Sequence, residues 1–167
     1  PPSPFHDAAL DLPLYGLAIM PCRTRDSDDG KHKAKGPLLS KFNLWKRPPG
    51  QEAIRKWMGQ FSEANIGAIC GLSGVTVVDV DGGEELVAEA IAMFGDTPLK
   101  TQTPSGGMHL WYRHNGERNR NLRTSHGLDI DIKGRGRYVL IPPSIRIDGP
   151  YAGQRYKFVT GSWDDLL

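Results

Sequence analysis

Three segments of this 167-residue chain carry residue types suited to metal and phosphate chemistry, and each is built like a strand. Val75-Thr76-Val77-Val78-Asp79-Val80-Asp81-Gly82 ends a β-rich run in two carboxylates. Ser105-Gly106-Gly107-Met108-His109-Leu110-Trp111-Tyr112 leads from a glycine turn to an imidazole. Leu128-Asp129-Ile130-Asp131-Ile132-Lys133-Gly134 carries two further acids and runs on toward Tyr138-Val139-Leu140-Ile141-Pro142-Pro143-Ser144. Side chains alternate faces along a strand. Asp79 and Asp81 therefore share a face, with Val78 and Val80 on the other. The same parity groups Asp129, Asp131 and Lys133, and groups His109 with Trp111 and Arg113. If the three strands are neighbours, their reactive faces form one cluster. Paired carboxylates repel unless a cation lies between them, and an all-oxygen donor set favours Mg²⁺ or Mn²⁺ over zinc. A third carboxylate from another strand would let two ions share the site. The backbone at Gly106 and Gly107 offers N–H groups to an anion. Together these are the parts needed for metal-assisted nucleotidyl transfer.

Taken singly, each part is weak. An Asp-x-Asp at a strand end is more often a solvated turn, and Ser-Gly-Gly before a strand an ordinary tight turn. A lone histidine in an apolar run is more often a packed polar residue than a ligand. Other motifs fail outright. Gly30 to Gly36 lacks the Gly-Lys-Ser/Thr ending of a P-loop. Gly134-Arg135-Gly136 has no third glycine and no helix after it, so it is not a dinucleotide fingerprint.

Bulk composition narrows the class. The length suits one domain spanning residues 1–167, and 24% charged with 38% hydrophobic residues is ordinary for a globular protein. A net charge of +2 gives no global field for DNA, so any nucleic-acid contact must come from a local patch. Cys22 and Cys70 each sit in an apolar run and read as buried thiols of a reducing compartment, not as zinc ligands. No stretch approaches the ~18 apolar residues of a membrane span. The chain opens without Met and ends at Asp164-Asp165-Leu166-Leu167, from which we expect an excised fragment of a larger protein.

The elements that must position these residues are short. Residues 5–15 predict a helix broken or kinked at Pro13, and Gly16 to Cys22 a strand. Residues 23–36 mix Arg23, Arg25, Lys31, Lys33 and Lys35 with Asp26, Asp28 and Asp29, which reads as a mobile charged loop. Ala53, Ile54, Trp57, Met58 and Phe61 follow helical spacing over about 50–61. Asn65–Cys70 and Val75–Asp81 read as adjacent strands of a hairpin across Gly71-Leu72-Ser73-Gly74. Glu84 to Phe94 reads as an amphipathic helix closed by Gly95. Strands are expected at 100–103 and 109–113, a polar loop at 115–125, two strands flanking Gly134-Arg135-Gly136, and an edge strand at 156–159. The sum is a mixed-sheet α/β or α+β domain.

The order of these segments resembles the primase–polymerase domain of the archaeo-eukaryotic primase superfamily, nearest its bifunctional phage and plasmid versions. The resemblance covers nearly the whole chain, from Gly16-Leu17-Ala18-Ile19-Met20-Pro21 through Lys35-Gly36-Pro37-Leu38 and Asn65 to Gly71 into the three central motifs. It implies an α+β fold, a mixed-sheet catalytic core whose catalytic half is RRM-like, with flanking helices. It also implies template-directed joining of nucleoside triphosphates on a single-stranded DNA template and primer, using Mg²⁺ or Mn²⁺ as two ions. Asp79-Val80-Asp81 is similar to the family's paired metal carboxylates. Asp131 corresponds to its third acid, with Asp129 a competitor on the same face. Ser105, Gly106, Gly107 and His109 are similar to its nucleotide-binding motif, in which the histidine contacts the triphosphate. Lys133, Arg135 and Arg137 flank the third motif and suit triphosphate or template phosphates. Arg118, Arg120 and Arg123 suit a template track that binds without reading sequence. Trp45, Trp57 and Trp111 are read as core. The resemblance further implies that the chain is the N-terminal fragment of a larger replication protein with a helicase domain on the same parent chain, in the cytoplasm of a bacterial or archaeal host, with no membrane partner. Two alternatives stand beside it: a two-metal nuclease using the same acids, and a non-catalytic DNA-binding module of a replication initiator.

Overall fold

The computed structural model describes residues 1–167 and contains two antiparallel sheets with helices packed outside them. The smaller sheet has the order β1-β2-β8, from Ile19–Cys22, Asn65–Ile69 and Tyr138–Leu140. The larger has the order β6-β7-β3-β5-β4-β9, from Arg120–Asn121, Ile130–Lys133, Val75–Val80, Met108–Arg113, Leu99–Gln102 and Lys157–Thr160. Helices α1 (Pro4–Ala8), α2 (Gln51–Gln60), α3 (Glu84–Phe94) and α4 (Leu122–His126) complete the domain. The α+β class is as expected. Strand direction refines it: every ladder of both sheets is antiparallel, where a mixed sheet was anticipated.

The larger sheet buries both faces, and each face follows from the alternation of its side chains. Val78, Val80, Leu110, Ile130 and Ile132 point one way and pack on Leu86, Val87, Ala90 and Ile91 of α3. That helix begins with Glu84 and Glu85, acids well placed against the positive end of its dipole, and stops at Gly95. Val75, Val77, Leu99 and Trp111 point the other way and meet Ile19, Ile66, Ala68 and Val139 of the smaller sheet, with Phe5 and Ile54 closing the core from α1 and α2. The face that carries Asp79 is therefore apolar at one end of β3 and acidic at the other. It is not a uniformly reactive face.

The expected hairpin is not formed. β2 pairs with β1 and β8, and β3 with β5 and β7, so the Gly71–Gly74 turn passes the chain between sheets instead of closing a ladder. Likewise the Gly134–Gly136 turn carries β7 of the larger sheet into β8 of the smaller. Local turn chemistry cannot tell these cases apart, because the same glycines serve both. Residues 115–125, read as a loop, contain β6 and α4, the helix N-capped by the Asn121 side chain accepting from Arg123 N–H at 2.8 Å. The predicted helix at 5–15 is split into α1 and a 3₁₀ turn at Leu12–Tyr15, as Pro13 requires. Within 23–36, Arg23 N–H donates to Gly36 at 2.7 Å and Lys35 N–H to Arg23 at 2.9 Å. No helix is long and apolar enough to cross a membrane.

Candidate active site

Cross-strand register brings the sequence-predicted residues together. In the ladders, Asp79 lies opposite His109 on one side and Asp131 on the other, and His109 lies opposite Thr101. One polar row, Asp131–Asp79–His109–Thr101, thus crosses four strands. Directly opposed side chains sit about 5 Å apart at Cβ. The adjacent row, Lys133–Val77–Trp111–Leu99, begins the apolar core. Trp111 fixes the boundary: it is buried, donates its indole N–H to Thr101 Oγ1 at 3.0 Å, and meets Trp163 edge-on at 5.2 Å.

The polar row opens into a cleft of about 430 Å³ between the two sheets. Asp79, Asp81, Asp131 and His109 line it from the larger sheet and its loop, and Tyr138, Val139 and Leu140 from β8. Residue 131 therefore shares the side of the 79/81 pair. Asp129 does not line the cleft; its carboxylate accepts from Arg123 Nε at 2.7 Å outside it, so Asp131 is the acid of this segment that the cleft receives.

Asp79 is the electrostatic centre. Its carboxylate lies 3.4 Å from His109 Nε2 and 3.2 Å from Lys133 Nζ. Burial would raise its pKa, but hydrogen bonding and charge from His109 and Lys133 outweigh burial and hold the carboxyl well below the usual carboxylate range. His109 is only 4% exposed, and its Nδ1 is buried with no partner. A buried ring nitrogen is normally satisfied, so this one is an exception within the site.

The glycine turn approaches β3 closely. Gly106, at φ 96°, donates its N–H to Thr103 and closes the turn, which takes that donor away from any anion. The Gly107 N–H has no partner. A Cβ at Gly107 would lie 2.8 Å from the Val80 carbonyl oxygen and 3.1 Å from Thr103 Oγ1, so the turn can lie against β3, with Ser105 lining the cleft, only with glycine there. Gly107→Ala is expected to cost about 2 kcal/mol through overpacking, a fall of about 4–8 °C in melting temperature. An unchanged melting curve would show that the turn relaxes freely.

Four cations face the acids. Lys133 and Arg137 come from the third motif, and Lys35 and Arg146 from loops. Arg135, expected here, lines a different groove, since the residues of the 134–137 turn point to different sides. Lys35, Arg146 and Tyr156 were missed by sequence reasoning. Lys35 adopts φ 71° and its carbonyl accepts from the Tyr138 hydroxyl at 2.8 Å. Desolvation and the like charge of Arg146 lower its pKa, against the pull of Asp79 and Asp81. Arg146 and Tyr156 are placed by an arm that folds back: Asn65 exchanges hydrogen bonds with the Ile145 backbone at 2.9 and 3.0 Å, and Tyr156 N–H donates to Ser144. Burial pushes the Tyr156 phenol pKa up, and its ring lies 6.3 Å from that of His109. Lys35 does stand in the Lys-Gly-Pro-Leu segment of the resemblance; nothing local marks Arg146 or Tyr156. Arg118, Arg120 and Arg123 are all exposed outside the cleft, Arg120 on β6 opposite Ile132.

Residues 9–166 match the family described as bifunctional DNA primase/polymerase, N-terminal. The chain belongs to that family. No curated protein matches it. A prim-pol domain has a DNA primase/polymerase role in replication, acts on nucleotides and DNA, and belongs to a family that uses divalent metals. The donor set of this prim-pol domain suits such ions: hard carboxylate oxygens on one cleft wall, with the Lys133 ammonium standing as a cation against Asp79. No three acidic, imidazole or thiol groups are gathered at ligating distance of one point.

Proposed function

We propose that this domain joins nucleoside triphosphates on a single-stranded DNA template by two-metal-ion nucleotidyl transfer, in phage or plasmid replication. The observation that carries the reading is the opposition of Asp79 to Asp131 and His109 across adjacent ladders, within a cleft that also holds four cations. Asp79, Asp81 and Asp131 would hold Mg²⁺ or Mn²⁺. Bound there, the ions supply Lewis acidity toward an attacking 3′-hydroxyl and neutralise triphosphate charge. The chain's own residues do the rest. Ser105, on the cleft wall, suits phosphate oxygens, and Lys35, Arg137 and Arg146 offset their charge. Lys133 is released from Asp79 toward the phosphates. His109, which lines the cleft beside Asp79, would contact the triphosphate. Tyr138 and the buried Tyr156 narrow the pocket. Arg118 and Arg120 suit template phosphates; Arg123, already engaged by Asp129, suits them less.

Calorimetry with Mn²⁺ and a deoxynucleoside triphosphate tests this. Binding is expected, and Lys35→Ala and Arg146→Ala should each weaken it about tenfold, the worth of one charge-assisted contact. Shortening of labelled DNA without added nucleotide would favour a nuclease. DNA binding with no affinity for metal or nucleotide would favour a non-catalytic module.

A further inference from the structure

Beside the acid cleft lies a second groove of about 420 Å³, lined by Trp45, Lys46, His114 and Arg135 among others, with no acidic residue in its wall. It is continuous with the cleft, because Phe42 and Gly136 line both. Phe42 stands edge-on to Tyr138 of the cleft at 5.3 Å and marks the junction. Trp45 is half-buried, packs at the edge of the core formed by Ala18, Met20 and Ile69, and lies flat on Trp57, with centroids 5.9 Å apart and planes 5° apart. That stack holds the indole ready at the groove. Lys46 and Arg135 are exposed and make no ion pair. His114 is held by Thr76 and Glu117 at 2.7 and 3.1 Å and serves as wall. Asn119 bonds the Arg135 carbonyl at 2.9 Å and accepts from Gly134 N–H at 2.6 Å, which pins the loop bearing Arg118 alongside.

We infer that this groove seats the single-stranded DNA template as it enters the reaction cleft, with Trp45 stacking on a base and Lys46 and Arg135 contacting phosphates. The inference rests on the polymerase reading for the direction of the strand, but not for its test. A rigid aromatic ring flanked by unpaired cations is what sequence-independent binding of single strands requires, since every base has a stacking face and every nucleotide a phosphate. A duplex is too stacked to offer its bases to Trp45. An acidic protein segment would satisfy the cations but leave no reason for continuity with the acid cleft.

The test is fluorescence anisotropy of the full chain with a labelled dT12 strand, without metal or nucleotide. Lys46→Ala/Arg135→Ala, both at exposed positions, is expected to weaken binding about tenfold. It should also flatten the dependence of log K on log salt by about 1.4, two phosphates at about 0.7 each. Trp45→Ala is expected to weaken binding about tenfold with the salt slope unchanged, and Trp45→Tyr to restore it. Parental affinity in the folded double variant overturns the inference, as does equal affinity for a duplex of the same length. Asp79→Asn separates the two readings. If it binds dT12 normally but no longer extends primers, the polymerase reading stands whatever the groove does. If it extends primers while the groove variants lose dT12, the groove stands without that reading.

Discussion

Asp79→Asn and Asp131→Asn are each expected to lower metal-dependent primer extension by roughly 10³-fold, about 4 kcal/mol of transition-state stabilisation. The size follows from position. These are the two carboxylates that face each other across the β3–β7 ladder, and on the proposed reading removing either would deprive a bound divalent ion of one of its opposed ligands. Asp81→Asn should act in the same direction. Asp129→Asn is the contrasting variant: its carboxylate is turned to Arg123 outside the cleft, and extension should stay near parental. Asp79→Asn also leaves the Lys133 ammonium without its partner, so circular dichroism and a melting curve must accompany the assay. Near-parental extension by folded Asp79→Asn and Asp131→Asn proteins would remove the basis for the catalytic assignment.

Trp111→Ala is expected to lower stability by about 3–5 kcal/mol, on the order of 10 °C in melting temperature. Trp111 is 2% exposed, packs in the core between the sheets and donates to Thr101. The substitution would leave a cavity and a buried hydroxyl without its partner. The effect should also reach the site, because Trp111 and His109 lie on the same face of β5 and Thr101 is the ladder partner of His109. A thermal melt and a triphosphate titration measure the two consequences. Trp111→Phe, which refills most of the space, should recover much of the stability. A melting temperature within a degree or two of the parent for Trp111→Ala would mean that this core is far less tightly packed than its burial indicates.

How much of this was readable in advance depended on the range of the forces involved. Asp79 and Asp131 were legible because strand alternation is a property of a few consecutive residues, and each acid stands between apolar neighbours that must go inward. The α3 helix, Glu84–Phe94, was legible for the same reason, its apolar spacing and closing glycine being local. The choice between Asp129 and Asp131 was not legible: both have the same parity, and what separates them is where β7 begins and that Arg123 lies within reach of one. Arg135 and Arg137 were equally ambiguous, since a glycine-flanked turn does not disclose which side each side chain takes.

The sequence by itself determined which side chains share a face, where glycine and proline interrupt the elements, and therefore the chemical character of each strand. Tertiary structure alone decided which strands are neighbours: that Gly71–Gly74 crosses between sheets, that β3 lies between β5 and β7, and that Lys35, Arg146 and Tyr156 line one cleft with the acids. Alternation is imposed by backbone geometry within a strand, whereas pairing and cleft closure are settled by burying apolar surface contributed from distant parts of the chain. Ile66 and Val139 packing against Val77 and Trp111 is such a contact, and no stretch of neighbouring residues encodes it.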